Sequence, residues 1–470
     1  MRESSDLIKD ICNEVLKYII PSSEETSKAY ELFKIIKSRI EGIVKELGFP
    51  YSITLEGSVV KNTHLRGETD LDIFILIRND KMSQEWLEEL IDEIAKVLSE
   101  YKPRKLYASH PYIRLDVNGM EVDIVPAYMA YSIEEVKTAV DRTPFHTRFI
   151  RERLHDEKVN EVRLLKKFFK SINVYGAEIK VEGFSGYLTE LLIVYYGSFI
   201  NALHGIANWS PPQVLDINRR SADVKDYIRI YGEKPLIVPD PVDPRRNAAA
   251  AVALGSFSKA VLAARTFLER PSINFFFPQP ATSSWEVLNN LIEIRQTSIV
   301  GYMVNYAVGT SPDIIWGELK RGLRRGINVL RNHDFVVVDY GIWCDEVSRA
   351  LILYEVTPPK LSTYKLHLGP KVFRVDDTDK FLSKYLGQSD IVGPWINEYG
   401  ELVIMKRRKY VTPYEVLMNG VRDIISIKHI ISCSVITLND LKQLYLSEDN
   451  FKVWLNSFIR KKPLWLGQGT

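Results

Sequence analysis

The run LEGSVVKNTHLRGETDLDIFILI, residues 55–77, concentrates side chains suited to phosphate chemistry. Gly57-Ser58 follows a short predicted strand and precedes what reads as one helical turn, where free backbone amides and a hydroxyl suit a phosphate. Asp70 and Asp72 sit at i and i+2 at the start of a strand, so both carboxylates project from one face. Two such acids repel each other unless they diverge into water or share a cation. Hard oxygen ligands that approach phosphates suit Mg²⁺. An isolated DxD more often decorates a strand end, but here a third acid, Asp123 in MEVDIVPAY, lies in an otherwise apolar strand. An unpaired carboxylate is costly there. A neighbouring strand can bring it beside Asp70 and Asp72 to complete a two-metal site, in which one ion activates an attacking hydroxyl and the other steadies a triphosphate and its leaving group.

Holding three acids this way needs a covered sheet. Leu7, Ile8, Ile11, Val15 and Ile19, then Leu32, Ile35, Ile36, Ile40, Ile43, Val44 and Leu47, recur at helical spacing, interrupted at Pro21 and stopped by Gly48 and Pro50. Two amphipathic helices therefore open the chain. Strands are predicted over Tyr51 to Leu55 and Leu71 to Ile77, a helix over Trp86 to Leu98, and strands over Tyr112 to Val117 and Met120 to Val125. Asn118-Gly119 joins the last two in a tight hairpin turn. Residues 1–145 thus read as a mixed α/β unit with a largely antiparallel sheet tail.

From Asn160 to Trp209 the pattern is helical. Leu191 to Trp209 lacks Asp, Glu, Lys and Arg over a length sufficient to span a bilayer, yet it holds Gly197, Ser198, Asn201, His204, Gly205 and Asn208. A buried core helix is the expectation, and no membrane partner. Pro211 and Pro212 end it, EKPLIVPDPVDPRRN follows, and an alanine-rich helix is predicted from Ala248 to Leu268. The segment RPSINFFFPQPATSS reads as the main linker. Ser283 with Glu286 fits a capping box for the next helix. Beyond it, a helix from Trp316 to Leu330 alternates with strand-like runs at Phe335 to Val338, Ala350 to Val356 and Leu402 to Met405.

Composition narrows the class. Among 470 residues, 62 Lys plus Arg against 60 Asp plus Glu leave a formal charge of +2, so any basic surface must be local. With 46% hydrophobic residues, ordinary globular cores are expected rather than wholesale disorder. Cys12, Cys344 and Cys433 form no CxxC pair, which speaks against a disulfide framework or a structural zinc site and suits a reducing, cytoplasmic setting. The N-terminal run MRESSDLIKDICNEV has no apolar region of the kind a signal peptide needs.

The runs GSVVKNT, TDLDIFILI, SHPYIRLDVNGMEVDIVPAY, DRTPFHTRFI, NEVRLLKKFFKSINVYGAEIKVEGFSGYLTELLIVYYGSF and DPVDPRRNAAAAV occur in this order over most of residues 1–270. Together they resemble the nucleotidyltransferase superfamily typified by DNA polymerase beta, and more closely its archaeal, class I CCA-adding enzymes, the tRNA nucleotidyltransferases. The C-terminal part is covered more loosely, by segments such as STYKLHLGPKV. The resemblance implies an α+β multidomain protein: a nucleotidyltransferase head over 1–145, a mostly helical neck over 146–275 that completes the nucleotide pocket, and a tRNA-binding body and tail over 276–470, the body a ferredoxin-like α/β sandwich. It implies that Asp70, Asp72 and Asp123 are the catalytic carboxylates that bind Mg²⁺, and that Ser58, beside Gly57, contacts the triphosphate. Lys61 stands where arginine is common, keeping the charge without the bidentate fork. His146, Lys166 and Tyr175 match residues that bind the incoming nucleotide. Arg246 matches a residue that reads the incoming base, with Asp243 nearby helping to position it. Taken by itself, Lys166 beside Lys167 and Lys170 is the usual composition of a solvated helix face.

An RNA partner needs basic surface. On the predicted helix Trp316 to Leu330, Arg321, Arg324, Arg325, Asn328 and Arg331 fall opposite the apolar Leu319, Leu323, Ile327 and Leu330. Lys406, Arg407 and Arg408 in KRRKY, and RKK at Arg460 to Lys462, add two patches. The acids with Gly-Ser imply nucleotidyl transfer with release of pyrophosphate. The tRNA substrate, CCA addition from CTP and ATP, and homodimers follow only from the resemblance. The rivals are a poly(A)- or oligonucleotide-synthesising nucleotidyltransferase and a catalytically silent RNA-binding protein. Retention of all three acids speaks against silence, and DPVDPRRN and DRTPFHT speak against the poly(A) enzyme.

Overall fold

A computed structural model describes residues 2–80, 82–107, 110–220, 223–280, 282–424 and 429–466. The chain divides into two units, Met1–Gln279 with Leu464–Thr470, and Pro280–Pro463. In the first, α1 (Arg2–Ile19) precedes α2 (Ser23–Glu46), which Ser22 caps by accepting from the Glu25 amide at 3.1 Å. Then come β1 (Tyr51–Glu56), the single-turn α3 (Gly57–Val60), β2 (Leu71–Ile77), α4 (Gln84–Val97), β3 (Arg104–Tyr107), β4 (Pro111–Val117) and β5 (Met120–Tyr128). The sheet order is β1-β2-β5-β4-β3, with β2 and β5 parallel and the other pairs antiparallel. Alternation decides which face each residue serves. Leu71, Ile73, Ile75 and Ile77, with Ile53, Leu55, Val122 and Ile124, bury in one core with α2 and α4. Asp72 and Asp123 therefore project from the opposite face.

The same unit continues through α5 (Thr143–Arg153), α6 (Val159–Ser171), α7 (Gly186–Tyr196), α8 (Phe199–Ala207), α9 (Val224–Tyr231) and α10 (Leu254–Glu269), with a short parallel pair of β6 (Gln213–Val214) and β7 (Leu236–Ile237). Phe168, Phe199, Phe267, Phe275 and Phe276 centre its second core, to which α1 gives Ile8, Cys12, Val15 and Ile19. The uncharged stretch Leu191 to Trp209 is two buried helices rather than one. Gly197, at φ 85°, ends α7, and Ser198 caps α8 by accepting from the Asn201 amide at 3.2 Å. No helix among the described residues is long and apolar enough to cross a membrane. The alanine-rich helix starts at Leu254 and not at Ala248, because the Asn247 side chain takes the amides of Val238 and Ala249 and holds the approach in turns.

The second unit comprises α11 (Trp285–Ile294), β8 (Ser298–Tyr306), α12 (Pro312–Asn332), β9 (Val336–Cys344), β10 (Arg349–Thr357), β11 (Tyr364–Lys371), α13 (Val375–Tyr385), β12 (Ile391–Ile396), β13 (Glu401–Arg407), α14 (Pro413–Ile424), β14 (Ile430–Ile436), α15 (Leu438–Ser447) and α16 (Asp449–Arg460). With β11 to β13 set aside as an insertion, β8-α12-β9-β10-α14-β14 runs in the order βαββαβ. Its sheet is ordered β14-β8-β10-β9, the ferredoxin-like arrangement. One face, with Tyr302, Ile352 and Tyr354, packs on α12 and α14; the other, with Ile299, Leu351 and Leu353, packs on α11, α15 and α16. The cap of α11 is Ser284, which accepts from the Val287 amide, one residue beyond the expected Ser283. Ser283 instead ties its amide to Asn456 at 3.0 Å. The inserted sheet, ordered β11-β13-β12, is covered on one face by α13.

Candidate active site

Strand registers set four charged residues in a row across one face: Glu56 opposite Asp72, Asp72 opposite Asp123, and Asp123 opposite Arg114. Asp72 and Asp123 are half-buried and Asp70, just before β2, is exposed. Burial, then the neighbouring Asp123, pushes the Asp72 carboxyl up to about 6. Partial desolvation in the cavity, then Glu121 and Glu68, raises Asp70 above the ordinary carboxylate range. Arg114 offsets the row: its Nε and Nη2 each donate to Asp123 at 2.7 Å.

Gly57 turns the chain past this row at φ 73°, and a Cβ there would lie 1.9 Å from Asp72 Oδ2. Ser58 lines the same cavity, of about 380 Å³, as do Lys61, Asp70, Asp72, Asp123, Lys166 and Tyr175. Lysines line the cavity as well. Lys61 Nζ donates to Glu190 Oε2 at 2.6 Å, and the Thr63 hydroxyl donates to Oε1 at 2.7 Å. Glu190, on α7, is 1% exposed, so its charge is matched inside the protein. Lys166 is no solvated-face lysine: it is 5% exposed and donates to the Thr63 carbonyl at 3.0 Å. Burial pushes its ammonium down to about 8, with Glu190 opposing that fall. The Tyr175 ring lies 5.8 Å from Lys166 Nζ and 5.3 Å from Lys170 Nζ.

His146, Asp243 and Arg246 gather beside this cavity rather than in its lining. The junction is Tyr187, which lines the cavity, stacks on His146 with centroids 4.0 Å apart, and donates its hydroxyl to Asp240 at 3.0 Å. Asp240 is fully buried and also meets His146 Nε2 at 3.0 Å and Arg246 Nε at 3.4 Å. Burial alone would raise its pKa, but His146, the Val242 amide and Arg246 together lower it. Asp243, expected nearby as a positioning residue, reaches Arg246 through its backbone. The Asp243 carboxylate holds Arg245 at 2.7 Å and Arg142 at 3.3 Å, while its carbonyl accepts the Arg246 amide. Three residues earlier in the chain, Asp240 is the acid that faces the Arg246 guanidinium.

A model of the nucleotidyltransferase domain matches residues 37–146, one of the tRNA nucleotidyltransferase second domain matches 160–277, and one of the CCA-adding enzyme C-terminal domain matches 301–430. A CCA-adding enzyme of Pyrobaculum aerophilum is 39% identical over 408 residues, which are 85% of this chain and 91% of that protein. One of Sulfurisphaera tokodaii is 36% identical over 456 residues, 96% of this chain and 98% of that protein. The chain belongs to the CCA-adding enzymes. Among solved structures, one of a cytoplasmic RNA terminal U-transferase aligns over 57% of this chain and 96% of its own, at 16% identity and a TM-score of 0.45.

A CCA-adding enzyme acts on tRNA with nucleoside triphosphates, and the nucleotidyltransferase family uses divalent metal ions. Among the described residues of this CCA-adding enzyme, no three acidic, histidine or cysteine side chains gather closely enough to hold a metal ion alone. The donor set nonetheless suits a hard cation completed by phosphate oxygens. Every acid of the row offers oxygen, and a cation beside Asp72 would offset the burial and the neighbouring Asp123 charge that raise its carboxyl. On the second unit, Arg321, Arg324, Arg325 and Arg407 are exposed and Lys406 is half-buried. Arg408 differs, its guanidinium paired with Asp334 and only 13% of its side chain exposed. Sequence reasoning passed over Arg114, Tyr187, Glu190 and Asp240. Glu190 carried a signal, a lone acid on an otherwise apolar helix.

Proposed function

We propose that the cavity between the acid row and the α6 lysines is where the 3′ end of tRNA meets CTP and then ATP. In this reading Asp70, Asp72 and Asp123 hold Mg²⁺, and Gly57, Ser58, Lys61, Lys166 and Tyr175 receive the triphosphate. His146, Asp240, Asp243 and Arg246 form the base side. One observation carries the reading: Asp70, Asp72 and Asp123 line a single cavity together with Lys61, Lys170 and the buried Lys166, a charge pattern matched to a cation and a triphosphate bound together. When bound, the metal supplies charge neutralisation and a more acidic attacking hydroxyl. Lys61 and Lys166 draw off the charge that builds on pyrophosphate as it leaves. Tyr187 couples the phosphate end to the base end through its contacts with His146 and Asp240. Arg246, with about a third of its side chain exposed, presents donors from a proline-set loop, which suits base selection without a template. The exposed arginines of α12 grip tRNA phosphates.

The direct test supplies tRNA transcripts lacking CCA, CA or A, with Mg²⁺ and one nucleoside triphosphate at a time. Stepwise growth by C, C and A that then stops is the expected result. Unlimited A addition would point to the poly(A) enzyme, and no incorporation to the silent RNA-binding protein.

A pH dependence follows from Lys166. The triphosphate prefers the protonated ammonium, which the nucleotide-free protein keeps below about pH 8. CTP affinity should hold steady from pH 6.5 to 7.5, values chosen for the assay, and then weaken by roughly tenfold per pH unit above 8. Lys166→Met should bind CTP more weakly at every pH and lose that slope. Equilibrium binding of CTP across the range checks it, and an equally steep slope in Lys166→Met would assign the titration to another group.

A further inference from the structure

One cation of the cavity stands on the acid side. Lys61 is committed to Glu190 and Lys170 to Glu68, and Lys166 points to the Thr63 carbonyl. Arg114, by contrast, projects from β4 directly opposite Asp123. Its planar fork takes both oxygens of that carboxylate, Nε to Oδ1 and Nη2 to Oδ2, each at 2.7 Å. Its remaining nitrogen, Nη1, lies 3.1 Å from Glu121 Oε2. Asp70, Asp72, Glu121 and Asp123 all line the cavity, so Arg114 is embedded in a wall of four acids. The hydrogen bonds to Asp123 raise its own pKa further still.

We infer that Arg114 is a resident counter-ion and positioning residue, which neutralises and orients Asp123 in the free enzyme and must share or yield that carboxylate when the divalent cation enters. The inference rests on the reading that Asp70, Asp72 and Asp123 hold the cation. A carboxylate has about four lone-pair sites, so sharing is stereochemically open. A guanidinium a few ångströms from a doubly charged ion is nonetheless repulsive. Two consequences follow. The free enzyme binds a divalent cation weakly, and the cation enters with the triphosphate, whose negative charge offsets the repulsion. The fork also fixes the plane of the Asp123 carboxylate, so the residue serves geometry as well as charge.

The test is a Mn²⁺ titration of the full chain without nucleotide, followed by the paramagnetic signal of free Mn²⁺, on wild type, Arg114→Gln, Arg114→Lys and Asp123→Asn. Circular dichroism checks folding, and Arg114→Met replaces the Gln variant if that one does not fold. Arg114→Gln keeps donors toward Asp123 but loses the charge, and Mn²⁺ should bind it roughly tenfold more tightly than wild type. Arg114→Lys keeps the charge and loses the fork. Its Mn²⁺ affinity should stay within about twofold of wild type while kcat falls by roughly tenfold or more. Unchanged or weaker Mn²⁺ binding in Arg114→Gln, with Asp123→Asn clearly weakened, overturns the counter-ion role and leaves the cation site standing. If Asp123→Asn binds Mn²⁺ as wild type does, the cation site itself is wrong and the inference falls with it.

Discussion

Asp123→Asn should lower the rate of CCA addition by roughly a thousandfold or more while leaving tRNA affinity nearly unchanged. The substitution is isosteric, so the apolar strand around it, with Val122 and Ile124 fully buried, has no reason to shift. What changes is charge and donor pattern. The row loses one of the carboxylates that a cation needs, and the new amide nitrogen would face an Arg114 nitrogen that is itself a donor. Stability should move little, because losing the Arg114 pair is offset by relief of Asp72, whose carboxyl is held up in part by Asp123. tRNA affinity, read by gel shift, reports phosphate contacts that do not involve this carboxylate. An Asp123→Asn variant within tenfold of wild-type kcat would remove Asp123 from the catalytic set.

The site was legible in sequence where short-range rules apply and hidden where distant segments meet. The period of two put Asp70 and Asp72 on one face of the strand, because a strand repeats every two residues whatever it pairs with. The Asn118-Gly119 turn held more than was drawn from it. Counting four residues outward on each side of that turn puts Arg114 opposite Asp123, the register that is observed. By contrast, no local pattern announces that β2 and β5 lie parallel with Asp72 opposite Asp123, since their order in the sheet depends on long-range packing. Glu190 finds Lys61 at a separation of 129 residues, beyond the reach of spacing arguments. Asp240 and Asp243 stand three apart in one proline-rich run, and only the folded loop separates the acid that faces the Arg246 side chain from the one that holds Arg245. The single helix expected over Leu191 to Trp209 failed for a local reason: Gly197 and Ser198 are an end and a cap, and the lack of charge on both sides concealed them.

Gly57→Ala should cost kcat by roughly a hundredfold or more while removing only about 1–2 kcal/mol of stability. Two effects are combined at this position, and a second glycine separates them. Gly57 and Gly119 both sit in the left-handed region, at φ 73° and 82°, so an alanine at either pays a similar backbone penalty. The space around them differs. A Cβ on Gly119 meets nothing within 4 Å, whereas on Gly57 it lands 1.9 Å from Asp72 Oδ2 and 2.9 Å from its Cγ. That carboxylate cannot stay where it is, and its neighbours in the row, Glu56 and Asp123, are fixed by strand pairing. Displacement by an ångström is enough to spoil an arrangement that must share a cation with a triphosphate. Thermal melts and single-turnover addition on both variants make the comparison. Gly119→Ala should melt lower with near wild-type kcat, and Gly57→Ala should melt lower and be nearly inactive. Equal kcat in the two would mean that Gly57 serves only the backbone turn and that Asp72 owes its position to the strand alone.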